Sequence, residues 1–152
     1  VRLILISTMS FQSPESSLPS GYKWSLICEF RGIICVPYEI STMSIFERYS
    51  SCIPLILPTK RFLRELGTLI SVDVYKVPEN SKFSNIDEWI DRADFYDESN
   101  MPYITYFDNW ADLRELLNDI DTAKISRLMS DWNISRAQTA ERNMDRSFDI
   151  FQ

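Results

Sequence analysis

Three short apolar runs leave this chain few folds to choose from. Residues 1–7, Gly32–Val36 and Ile53–Leu57 are apolar almost without interruption, and each is too short for a buried helix. A strand with one wet face alternates apolar and polar residues. A strand without that alternation is covered on both faces, which is the signature of a parallel sheet between layers of helices.

The segments between the runs supply the helices. Ser10 to Ser20 is Ser/Pro-rich and reads as a loop, and Tyr22 to Phe30 reads as a short helix stopped by Gly32. Pro37 ends the second run, because proline has no N–H for a ladder. Ser41 or Thr42 is placed to cap a helix to about Ser51, with Ile45, Phe46 and Tyr49 inward. Pro58 closes the third run, and Thr59 caps a helix through Leu66 with Gly67 as its stop. Leu69 to Val77 alternates and reads as an edge strand or an extended insertion. Residues 78–101 read as irregular apart from a helix around Ile86 to Ala93. Pro102 to Phe107 is a further strand, followed by a helix capped by Asp108 or Asn109 and running through Leu117. Thr122 to Phe151 is mainly helical, with an interruption expected near Asn133. The expected fold is therefore α/β: a Rossmann-like parallel sheet with helices on both faces and a long C-terminal helix.

Composition narrows the chemistry. The 152 residues suit a single domain and include no histidine, which rules out histidine triads, histidine bases and His-ligated zinc within this chain. Net charge is −6, an unfavourable balance for nucleic-acid binding by the whole surface. Cys28, Cys35 and Cys52 lack C-x-x-C spacing and are expected as reduced, buried thiols of a cytoplasmic protein. No run approaches the roughly 20 apolar residues of a membrane span. The chain enters a strand directly from Val1, which suggests a piece of a longer protein whose missing part lies N-terminal.

The segment richest in chemistry is Pro37-Tyr38-Glu39-Ile40-Ser41-Thr42-Met43-Ser44-Ile45-Phe46-Glu47, followed by Ile53-Pro54-Leu55-Ile56-Leu57-Pro58. It reads as strand end, polar turn, helix and strand, with Glu39 and Glu47 separated by seven residues. Ligands of α/β sheets bind outside the carboxyl ends of strands, where a helix N-terminus offers free N–H groups to a phosphate. Carboxylates at that mouth can accept hydrogen bonds from sugar hydroxyls. Most acidic side chains are solvated surface residues, so the setting carries the argument and the residue type does not.

These residues resemble the donor-binding half of a nucleotide-sugar glycosyltransferase with the GT-B fold. The family's E-x7-E signature matches Glu39 and Glu47, and its small-Gly-x-Pro segment matches Ser51-Cys52-Ile53-Pro54, with Cys52 in place of the glycine. Trp110 to Leu117 is similar to the family's helix after the last strand. Ser44 to Tyr49 with Cys52-Ile53-Pro54 is also similar to exostosin-like enzymes of the same fold, which leaves retaining and inverting chemistry both open. The resemblance covers residues 32–66 and extends more loosely to 151. It implies a single donor-binding domain over 1–152, the C-terminal part of a two-domain enzyme that moves a hexose from a nucleoside diphosphate sugar to a hydroxyl acceptor. It places Glu39 on the transferred sugar, as the candidate catalytic residue, and Glu47 on the ribose. Tyr38, Ser41, Thr42, Met43 and Ser44 would line the donor. It implies neither a resident cofactor nor a metal. The partners would be the donor, a glycan, lipid or protein acceptor and an N-terminal half-domain. A non-catalytic nucleotide- or sugar-binding domain on the same scaffold is the alternative.

The family's diphosphate-neutralising arginine and lysine have no clear counterpart. Lys23 and Arg31 precede Glu39, and Lys60 and Arg61 follow the third run. The aromatic group Phe95, Tyr96, Tyr103, Tyr106, Phe107 and Trp110 reads as core, and Asp91, Asp94, Asp97 and Glu98 as a solvated face. Only three glycines occur, and no P-loop or G-x-G-x-x-G turn is present.

Overall fold

The computed structural model describes residues 4–7, 24–37, 43–69 and 86–149. In chain order they form β1 (Ile4–Ser7), α1 (Trp24–Ile27), β2 (Ile33–Val36), α2 (Met43–Ser50), β3 (Leu55–Pro58) and α3 (Lys60–Leu69). Then come α4 (Ile86–Asp91), a 3-10 turn (Asp94–Tyr96), β4 (Thr105–Phe107), α5 (Trp110–Asp119) and α6 (Thr122–Asp149). The strands form one sheet in the order β1-β2-β3-β4. Every pair is parallel, with Ile4 beside Ile33, Ile33 beside Leu55 and Ile56 beside Thr105.

The sheet is covered on both sides, as the uninterrupted apolar runs require. All four residues of β2 and of β3 are buried. Because successive side chains point to opposite faces, Ile33, Cys35, Leu55 and Leu57 fill one core and Ile34, Val36 and Ile56 the other. The first core is closed by Ile27 of α1, Ile45 and Tyr49 of α2, Phe95 of the 3-10 turn and Met129 of α6. The second is closed by Phe62 and Leu66 of α3 and Leu113 of α5, with Phe107 from β4. Right-handed crossovers from β1 to β2 and from β2 to β3, taken in one direction, put both helices on one face, and α1 and α2 do share the first face, whereas α3, after β3, covers the second.

Local chemistry sets several boundaries. Thr59 Oγ1 accepts the Phe62 N–H at 3.1 Å and starts α3. The Asn109 side chain accepts the N–H groups of Ala111 and Asp112, both at 2.9 Å, and starts α5. At the end of α2, the Cys52 N–H donates to Tyr49 O at 2.9 Å and the Ile53 N–H to Arg48 O at 3.3 Å. This pair of bonds is the Schellman ending, whose C′ residue is left-handed and usually glycine. Cys52 holds that position with φ 57. Cys52 thus takes a left-handed conformation that glycine adopts without strain.

Five expectations are corrected. Gly67 does not stop α3, which continues to Leu69. An internal glycine costs about 1 kcal/mol. Buried Phe62, Leu63 and Leu66 offset it, as do Arg64 bonds to Asp87 (2.6 Å) and Asp91 (2.8 Å) of α4. Leu69 is therefore helical and does not open an edge strand, while residues 70–77 lie outside the described residues. Asn133 does not interrupt α6, because its amide donates to Tyr49 O at 3.3 Å and Cys52 Sγ at 3.5 Å and so docks the helix. Of the three thiols only Cys35 is buried, Cys28 being exposed and Cys52 intermediate. The helix expected over Tyr22 to Phe30 is four residues long among those described, since the chain turns at Phe30, whose N–H returns to Ile27 O.

The first part of α6 lies on the first face. Its Ser126 hydroxyl donates to Cys52 O at 2.8 Å, and Arg136 donates to Asn100 O at 2.9 Å. From Ile134 to Met144 every residue is exposed. No helix among the described residues is long and apolar enough to cross a membrane.

Candidate functional site

The carboxyl ends of β2 and β3 and the start of α2 form the mouth expected to bind a ligand. Tyr38, Glu39, Ser41 and Thr42 lie outside the described residues. Met43, 69% exposed, and half-buried Ser44 open α2. Glu47 follows one turn later on the exposed side of the helix, opposite Ile45 and Tyr49. The structure therefore places Met43, Ser44 and Glu47 on one solvent-accessible helix at the expected mouth.

The candidate basic patch is already occupied. Arg61 pairs with Asp108 and Glu65. Thr59 Oγ1 donates to Asp108 Oδ1 at 2.6 Å. The Arg61 bond, reinforced by Thr59, holds the Asp108 carboxyl below its ordinary range. Lys60 donates to Asp91 O at 3.1 Å and lies 5.5 Å from the Tyr96 ring centroid. These groups tie the start of α3 to β4 and to the segment after α4. Arg31 is exposed, and Lys23 lies outside the described residues.

Sequence reasoning passed over Arg48. It sits on α2 three residues after Ile45 and beside Tyr49, which is the inward stripe of a helix, and it is only 3% exposed. Phe46, expected inward, is half-buried and packs against the first core. The Arg48 guanidinium donates to Cys35 Sγ at 3.6 Å, and its Nε has no hydrogen-bond partner among the described residues. Burial pushes the Cys35 thiol up against the opposing pull of Arg48. The sulfur is therefore a neutral acceptor and not a counter-ion. A buried cation without a carboxylate costs several kcal/mol. The signal in the sequence was the i, i+3, i+4 spacing of Ile45, Arg48 and Tyr49.

At the other end of the sheet, a cavity of about 470 Å3 is lined by Phe46, Tyr49, Ser50, Asn100, Asn133 and Arg136, with Met101. It lies beside the last turn of α2 and so away from the mouth. The Tyr49 hydroxyl donates to Pro102 O at 2.9 Å, and burial pushes its pKa up to about 12. Among the described residues no group of three or more His, Cys, Asp or Glu side chains is placed to hold a metal.

No family model matches this chain, and neither a known curated protein nor a solved structure is significantly similar to it.

Proposed function

We propose that this chain is a Rossmann-like, donor-binding domain of a glycosyltransferase, moving a hexose from a nucleoside diphosphate sugar to a hydroxyl acceptor. The observation that carries the reading is the β2-α2-β3 unit. It is a parallel β-α-β unit with Glu47 exposed on α2, and the residue at the family's glycine position has φ 57. The start of α2 would take up the diphosphate through free backbone N–H groups. Glu47 would accept hydrogen bonds from the ribose, and Glu39 from the transferred sugar. Positioning and electrostatic stabilisation of the departing diphosphate would supply the catalysis. An acceptor-binding domain would complete the cleft, and the exposed part of α6 from Ile134 to Met144 is a surface for it to cover.

Calorimetry with UDP, GDP and their sugars tests the donor site. Glu47→Gln is expected to weaken the free nucleotides, and Glu39→Gln only the sugar conjugates. Binding unchanged in both variants would sink the assignment. The engagement of Lys60 and Arg61 in ion pairs favours a second reading, a nucleotide- or sugar-binding module without transfer. Sugar transfer to an acceptor, abolished by Glu39→Gln, separates the two.

A further inference from the structure

We propose that Arg48 is the cation of a diphosphate-binding site at the head of α2, an inference that rests on the donor-site reading and names the residue that carries its charge. The first argument is placement. Side chains on a helix lean toward its N-terminus. Arg48 lies five residues after Met43, a rise of about 7.5 Å, so an arginine leaning that way brings its guanidinium toward the first turn. The contact with Cys35 fixes that direction, since Cys35 is the penultimate residue of β2, at the carboxyl end of the strand. The second argument is the unmet need. The guanidinium is almost wholly buried, has no carboxylate among the described residues and leaves Nε unpaired. Among the described residues its hydrogen-bond partner is a thiol that burial keeps protonated.

The first N–H groups of α2 have no carbonyl of a preceding turn to bond, and they carry the positive end of the helix dipole. A diphosphate seated on them would meet the fork of Arg48 from the side of the sheet. Paired phosphate oxygens suit that fork, as a single point charge does not. The site would thus hold an anion between a backbone cradle and a buried arginine. Lys60 and Arg61 would not be needed.

The test is titration of this chain with inorganic pyrophosphate, UDP and a UDP-sugar, beside Arg48→Met and Arg48→Lys. Arg48→Met keeps an unbranched stem and removes the buried charge, so its melting temperature is expected to equal or exceed that of the parent. Its affinity for pyrophosphate is expected to fall about 10- to 100-fold, the range for hydrogen bonds to a charged group. Arg48→Lys keeps the charge without the fork and is expected to fall between the two; it also carries the test if Arg48→Met does not fold. Equal pyrophosphate affinity in parent and variants overturns the proposal, and so does a parent that binds neither pyrophosphate nor UDP. Pyrophosphate binding that depends on Arg48, with UDP and UDP-sugar no tighter, upholds the proposal and removes the donor reading. UDP-sugar binding that Glu47→Gln weakens and Arg48→Met leaves unchanged does the reverse.

Discussion

Cys52 offers a test of the backbone in which the usual ranking of two residues should invert. It occupies the C′ position of the α2 ending with φ 57, closed by the bonds from Cys52 N to Tyr49 O and from Ile53 N to Arg48 O. A residue with a Cβ pays about 1–2 kcal/mol in the left-handed region, and glycine pays almost none. Glycine loses about 0.5–1 kcal/mol more chain entropy on folding than alanine. Comparing Cys52→Gly with Cys52→Ala isolates the backbone term. Both lose the thiol, its bond to Ser50 O and the one from Asn133, so those losses cancel. Cys52→Gly is expected to be more stable than Cys52→Ala by about 0.5–1 kcal/mol. At this chain length that is about 1–4 °C in melting temperature. In an ordinary helix interior the order is the opposite, with alanine ahead by up to about 1 kcal/mol. Urea denaturation of both variants, fitted with a common m-value, gives the difference directly. Alanine equal to or ahead of glycine would refute the left-handed assignment at Cys52.

Two further outcomes follow from the same geometry. Asn109→Ala should cost about 1 kcal/mol by urea denaturation, because one side chain caps two N–H groups of α5; no loss would mean that water replaces the cap at no cost. Tyr49 and Tyr106 are each pushed, chiefly by burial, to about 12 from an ordinary 10.0. The unfolded chain therefore loses these protons first, and their contribution is fully present below pH 10 and lost as pH rises through about 12. Stability measured against pH should fall over that window, less steeply in Tyr49→Phe; the same slope in both would refute the burial argument.

The residues that were legible in advance are those whose structure is settled by near neighbours. Gly32–Val36 and Ile53–Leu57 have no polar alternation, so β2 and β3 had to be buried on both faces. Thr59 and Asn109 cap helices because a side-chain oxygen reaches an N–H two or three residues away. The sequence could also place Glu47 on the helix after β2, since periodicity alone carries that. What failed in advance depends on distant partners. Gly67 and Asn133 are poor helix residues by propensity, yet α3 and α6 run through them. Arg64 ties α3 to α4 across more than 20 residues of chain, and the Asn133 amide finds Tyr49 O and Cys52 Sγ on α2 and the turn after it. Arg48 was hidden for the same reason: charge argues for the surface, and only the packing of α2 on β2 turns it inward, toward Cys35. Sequence alone determined the buried strands β2 and β3 and the capped starts of α3 and α5, because those preferences are local. The tertiary structure decided which of them would override a local preference, because burial and long-range hydrogen bonds contribute more than the roughly 1 kcal/mol of a single propensity.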